Sequence, residues 1–233
     1  MSETGSGGDC ADGKALDQST GVAISADGRS VYVTSVQTDA VAVFARDKNT
    51  GALTQLAGTA GCVSETGSGG DCADGKALDN ASDVAVSDDG ENVYVASVLS
   101  EAVAVFARDE QTGALTQLAG TAGCVSETGS GGDCADGKAL DGGGHVAISR
   151  DGESVYVASV VSDAVAVFAR DKNTGALTQL AGTAGCVSET GSGGDCADGK
   201  ALDDASNVAV SRDGESVYVA SSASDAVAVF SRH

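Results

Sequence analysis

The run Gly70-Asp-Cys-Ala-Asp-Gly-Lys-Ala-Leu-Asp79 sets three carboxylates within nine residues. Oxygens that converge from a flexible loop are what a hard cation such as calcium requires. The string recurs, so the candidate ligand sets are Asp71, Asp74 and Asp79; Asp133, Asp136 and Asp141; and Asp195, Asp198 and Asp203. An earlier set is formed by Asp9, Asp12 and Asp17. Their spacing is not the alternating series of an EF-hand. The competing reading, which the sequence favours, has these side chains capping turns through backbone amides. Calcium is the one cofactor these residues allow.

Cysteine is the second chemical signal. Cys62 and Cys72, Cys124 and Cys134, and Cys186 and Cys196 each bracket the same nine residues. Cys10 is the second member of such a pair without its mate, so it is expected to be a free thiol. The spacing is too long for a zinc knuckle, and suitable His residues are lacking. Local disulfides follow, and with them an oxidising compartment, extracellular or at a cell surface. His145 is the one internal His. It stands where a strand begins, and no motif marks a Ser or Cys nucleophile beside it. It therefore reads as a rim residue rather than a catalytic base.

The elements that position these groups come from an exact repeat. Residues 50–79, 112–141 and 174–203 are the same thirty-residue string, spaced by 62 residues. Residues 2–17 are the tail of a further copy. A fixed period of this length signals stacked supersecondary units that share a core. Within the first unit, residues 21–25, 30–36, 40–46 and 52–57 read as strands. They are separated by turns at Asp27-Gly28, Gln37-Thr38-Asp39 and Asp47–Gly51. A Gly/Ser/Asp-rich connection over 58–82 completes the period. Four antiparallel strands with tight turns and one longer link make a β-propeller blade. The expected fold is all-β: a single array over 1–233, with four-stranded blades at 18–58, 80–120, 142–182 and 204–233. The last of these lacks its outer strand.

The string Val-Ala-Ile-Ser-x-Asp-Gly-x-Ser-Val-Tyr-Val-Thr/Ala-Ser, followed by Asp-Ala-Val-Ala-Val-Phe-Ala-Arg-Asp-x-x-Thr-Gly-Ala-Leu, resembles the YVTN/lactonase-like β-propeller repeat family. The resemblance covers most of every unit. It implies a propeller from a secreted or surface protein, with rings of roughly six to eight blades. The Cys-bracketed insert goes beyond the common pattern.

Four blades of Ala, Val and Ser offer little bulk to wedge them apart at right angles. Two chains are therefore expected to make an eight-bladed ring, with a monomeric four-bladed ring as the alternative. The residue 2–17 segment reads as an inter-blade loop, unable to supply the missing strand. That leaves the third strand of the last blade as an open edge. A net charge of −21 repels nucleic acid and anionic lipid. No apolar run approaches the ~20 residues of a membrane helix. The chain begins Met-Ser-Glu with no leader segment.

Catalysis needs an asymmetric set of different groups, whereas this repeat multiplies one set. The sequence therefore reads as a non-enzymatic scaffold or interaction module, either natural or an engineered array. Calcium or glycan binding through the inserts is the alternative. A lactonase-like enzyme, implied only by the resemblance, ranks below both.

Overall fold

The structure is a computed structural model that describes residues 1–3 and 10–232. It is all-β and propeller-like, with repeated four-stranded blades. The first sheet holds β1 (Ser19–Ile24), β2 (Ser30–Ser35), β3 (Ala40–Arg46), β4 (Leu53–Gln55), β5 (Cys62–Ser64) and β6 (Ala73–Asp74). The second repeats it as β7 (Ala81–Val86), β8 (Asn92–Ser97), β9 (Ala102–Arg108), β10 (Leu115–Gln117), β11 (Cys124–Ser126) and β12 (Ala135–Asp136). The third is β13 (Gly143–Ile148), β14 (Ser154–Ser159), β15 (Ala164–Arg170), β16 (Leu177–Gln179), β17 (Cys186–Ser188) and β18 (Ala197–Asp198). The last sheet has three strands: β19 (Ala205–Val210), β20 (Ser216–Ser221) and β21 (Ala226–Ser231).

Within each sheet the first three strands run as an antiparallel meander. The first strands β1, β7, β13 and β19 contact one another in sequence, which makes them the inner strands at the axis. The turns follow from their residue types. Asp27 Oδ1 accepts hydrogen bonds from Ser25 Oγ and Arg29 N. Gly28 takes the positive φ of 69° that closes this turn. Asp47 Oδ1 likewise accepts from the Asn49 and Thr50 amides.

The insert differs from the expected loop. The outer strand is split: β4 pairs one end of β3, at Phe44–Arg46, and β5 pairs the other, at Ala40–Ala42. A 3₁₀ turn over Gly58–Gly61 joins them, and β6 adds in parallel to β5. Cys-Val-Ser is too short and unpatterned to announce a strand. The open edge of β3 recruits it. The amino-terminal segment behaves alike, because Ser2 bridges Asp12 in parallel as Ser64 bridges Asp74. Its reading as a plain loop is corrected accordingly.

Cys62–Cys72, Cys124–Cys134 and Cys186–Cys196 are disulfide-bonded, and Cys10 is an exposed free thiol. Each bridge closes a ten-residue loop, which restricts the unfolded chain and contributes roughly 2–3 kcal/mol. Replacing Cys124 and Cys134 together by Ala is expected to lower stability by about that amount, read as the urea midpoint.

Blades pack face to face. Tyr32, Val41, Val43 and Val63 of the first meet Val84, Val93, Val95 and Phe106 of the second. Leu78, at the end of the insert, is fully buried in this junction, and Leu140 and Leu202 repeat its placement. At the rim the first two junctions are fastened by a polar clasp, of which the third keeps the Arg232–Asp151 pair at 2.6 Å. Tyr94 Oη donates to Gly175 O at 2.8 Å and accepts from Arg170 Nε at 2.8 Å. The same guanidinium reaches Asn92 Oδ1 at 2.6 Å, Gly152 O at 3.1 Å and the Asp89 carboxylate at 2.8 Å. Tyr32, Gly113, Arg108, Ser30 and Asp27 make the same clasp one junction earlier. The Asp-Gly turns thus tie blades together as well as turning the chain.

Candidate functional site

The repeat is broken where the inner strands begin. Each inner strand opens with a register shift, between Ser19 and Val22, Ala81 and Asp83, Gly143 and His145, and Ala205 and Asn207. Such bulges re-aim side chains. Here they present a non-repeated series, Gly21, Asp83, His145 and Asn207, at one end of the axis. Neighbours in the series meet. His145 Nδ1 lies 3.3 Å from Asp83 Oδ2, and the same oxygen accepts the Val146 amide at 3.1 Å. The carboxylate stands beside Nδ1 of the imidazole, where it pairs with the ring when that is protonated. The His145 side chain remains 40% exposed.

Paired carboxylates surround this end. Asp39 Oδ1 caps the Asn80 amide and faces Asp79. Burial, and then the Asp39 charge, push the Asp79 carboxyl above its usual range. Glu101 is raised by burial and by Asp141 and Glu127; Asp203 is raised by burial and by Asp163. The clasps do the opposite. Burial tends to raise Asp27, but hydrogen bonds from Ser25 and Arg29 and the Arg108 charge hold it down to about 2. Asp151 is likewise held at about 2, chiefly by Arg232 and Ser149 acting against burial.

A pH profile follows. The raised carboxylates destabilise the fold when ionised, and this is relieved as pH falls through their folded-state values. The depressed ones contribute stability above the unfolded value of 3.8, which is lost as pH falls towards about 2. Thermal stability is expected to fall as pH drops below about 4, where Asp27 and Asp151 take up protons on the way to their folded-state values of about 2. A melting temperature that stays level as pH falls from about 4 towards about 2 would contradict this assignment.

The Asp-rich inserts are placed differently from a cation site. Asp71 and Asp133 use their backbone carbonyls to accept Lys14 and Lys76 Nζ. Asp79 turns instead to Asp39, and Asp203 to Asp163. Among the described residues, no group of three or more His, Cys, Asp or Glu side chains could hold a metal ion. Asp9 lies outside the described residues. Sequence reasoning singled out His145 but missed Asp83 as its partner. The signal was the mismatch among the otherwise repeated copies.

The family described as lactonase, seven-bladed β-propeller, matches residues 68–190 and 138–233. The chain belongs to this lactonase family. Solved structures agree on the fold. A protein from Bacteroides uniformis ATCC 8492, assigned as a 6-phosphogluconolactonase, superposes with a TM-score of 0.66 at 16% identity, over 96% of this chain and 55% of that one. One from Bacteroides fragilis NCTC 9343 with the same assignment gives 0.62 at 21% identity, over 92% and 51%. A protein of unknown function from Desulfotomaculum acetoxidans DSM 771 gives 0.60 at 16%, over 92% and 55%. This lactonase-family chain spans about half the length of those structures. No curated protein matches it.

Family membership overturns the reading as a non-enzymatic scaffold and lends no support to the calcium- or glycan-binding alternative. The physical reason lies in the inner strands. The repeat multiplies the frame, but Gly21, Asp83, His145 and Asn207 give that frame an asymmetric set of groups.

Proposed function

We propose that this chain supports ring-opening hydrolysis of a lactone at the Asp83–His145 end of the axis. The observation that carries the reading is an Asp-oriented imidazole, 3.3 Å from its carboxylate, on the inner strands of a lactonase-family propeller. His145 Nε2 takes a proton from water, which attacks the lactone carbonyl carbon. The tetrahedral intermediate collapses with cleavage of the ring C–O bond. The imidazolium returns its proton to the leaving ring oxygen, and the product is an open-chain hydroxy acid. Asp83 holds the tautomer and stabilises the imidazolium.

The surrounding carboxylates decide between substrates. Asp39, Asp79, Glu101 and Asp141 repel a phosphorylated lactone, and they expel the acid anion once it forms. The proposed substrate class is therefore an uncharged sugar lactone. In a pH-stat assay with glucono-δ-lactone, His145→Ala is expected to lower kcat/KM by about 100-fold or more. Asp83→Asn should lower kcat with a smaller effect on KM. Hydrolysis by His145→Ala at the rate of the unaltered chain sinks the assignment.

A further inference from the structure

The two end blades expose opposite halves of one junction. On the first blade Val22 is 67% exposed, on the face that each later blade turns to its predecessor. On the last blade Val227 and Val229 are 63% and 60% exposed, on the face that each earlier blade turns to its successor. Their counterparts Val41, Val43, Val103 and Val105 are fully buried against the next blade.

The polar groups are divided in the same way. Tyr218, 42% exposed, occupies the place of Tyr32 and Tyr94, which are fully buried in their clasps. Asp213 and Ser216 stand where Asp27 and Ser30 meet Arg108. The first blade holds the other half. Arg46 stands where Arg108 and Arg170 stand, and its guanidinium reaches only Gly28 O of its own turn. Gly51 stands where Gly113 and Gly175 accept the tyrosine hydroxyl.

The amino terminus matches the open edge of β21 in register. Val63 pairs with Val41, and the Glu65 amide donates to Asp39 O. One period earlier those positions are Met1 and Glu3; in the last blade the pairing positions are Val227 and Asp225. Glu3 already accepts the Leu16 amide through Oε2, as Glu65 accepts Leu78. Lys14 Nζ is already held by Gly58 O and Asp71 O, as Lys76 is held by Gly120 O and Asp133 O. The segment thus holds the geometry of an internal insert.

We propose that the last blade of one copy docks on the first blade of a second copy, and the reverse, closing a two-chain ring of eight blades. In each junction Arg46 of one copy enters the Tyr218–Asp213–Ser216 clasp of the other. Tyr218 Oη donates to Gly51 O, Met1–Glu3 pairs along β21, and Val227 and Val229 lose their water. The junction is heterologous, so two copies satisfy both ends only if the ring closes. Rings of 4–8 blades are the usual range.

Sedimentation velocity with light scattering tests this on the chain as it stands. The expected mass is twice the 22.6 kDa of one chain at micromolar concentration. Val229→Glu is expected to weaken association by about 100-fold. Because that residue is exposed in the single chain, its circular dichroism should be unchanged. A charge swap removes dependence on any one variant's folding. Arg46→Asp alone and Asp213→Arg alone should each run as monomers. Their equimolar mixture should recover the dimer, because one junction is then swapped and the other unaltered. A monomer of the unaltered chain at 100 μM (about a hundred times the micromolar range) overturns the proposal. So does an open series of growing mass, or a mixture of the two variants that stays monomeric.

Discussion

Arg170→Met is expected to lower stability by about 3–5 kcal/mol, seen as a lower urea midpoint at unchanged slope. The side chain is fully buried, and its guanidinium satisfies Tyr94 Oη, Asn92 Oδ1 and Gly152 O while pairing with Asp89. Methionine fills part of the volume but strands those acceptors. Each buried, unpaired group costs about 1–3 kcal/mol. The tyrosine reports the same environment: burial pushes its phenol up to about 12 despite the adjacent Arg170 charge. The contrast is Arg46→Met, measured at concentrations where the chain is alone. That guanidinium has one hydrogen bond to a turn carbonyl. Its loss should cost less than about 1 kcal/mol, as for other solvated charges. Equal costs at the two positions would mean that the clasp adds nothing to the junction.

Leu140→Ala is expected to cost about 3–4 kcal/mol, more than loss of any single disulfide. Leu140 is fully buried where the second insert meets the third blade, and it packs with Val146, Val155 and Phe168. Both flanking sheets are tied by their own hydrogen bonds, so neither can collapse into the space left behind. Cavities of this kind add to the lost transfer energy. Leu16→Ala tests the same position where one flank is missing. Leu16 is only partly buried, against the outer face of the first blade, and its truncation should cost less than half as much. A similar loss at both sites would place the stabilisation in the insert itself rather than in the junction.

The strands with strong β pattern were legible. Residues 40–46 read as the third strand and form it, and 30–36 gives Ser30–Ser35. These runs combine β-branched and aromatic residues between turn signals, so local preference and tertiary pairing agree. The insert strands were not legible, because Cys62–Ser64 and Ala73–Asp74 exist through pairing with an edge supplied by β3. The clasps were equally hidden. Arg108 lies 76 residues from Tyr32, and no local rule joins them. The disulfide pairs and the lone thiol were readable because loop length and arithmetic fix them. The functional reading failed for a different reason. It weighed the symmetry of the repeat and discounted a series that breaks it, in which Asp83 and His145 stand in different copies and meet.

Because each leucine wedge sits between its own unit and the next, the interchangeable part is a blade with its trailing insert. Excising residues 80–141 would join Asp79 to Gly142, and Leu78 would meet the partners that Leu140 now has. The new junction would keep its apolar packing and lose the Asp83 contacts to His145 and Val146. The packing of the chain is therefore blind to its own copy number. Unequal recombination between identical stretches of the gene could lengthen or shorten the protein by whole units without a folding defect. Only the span of the arc would register the change, which makes ring closure the step at which selection can count blades.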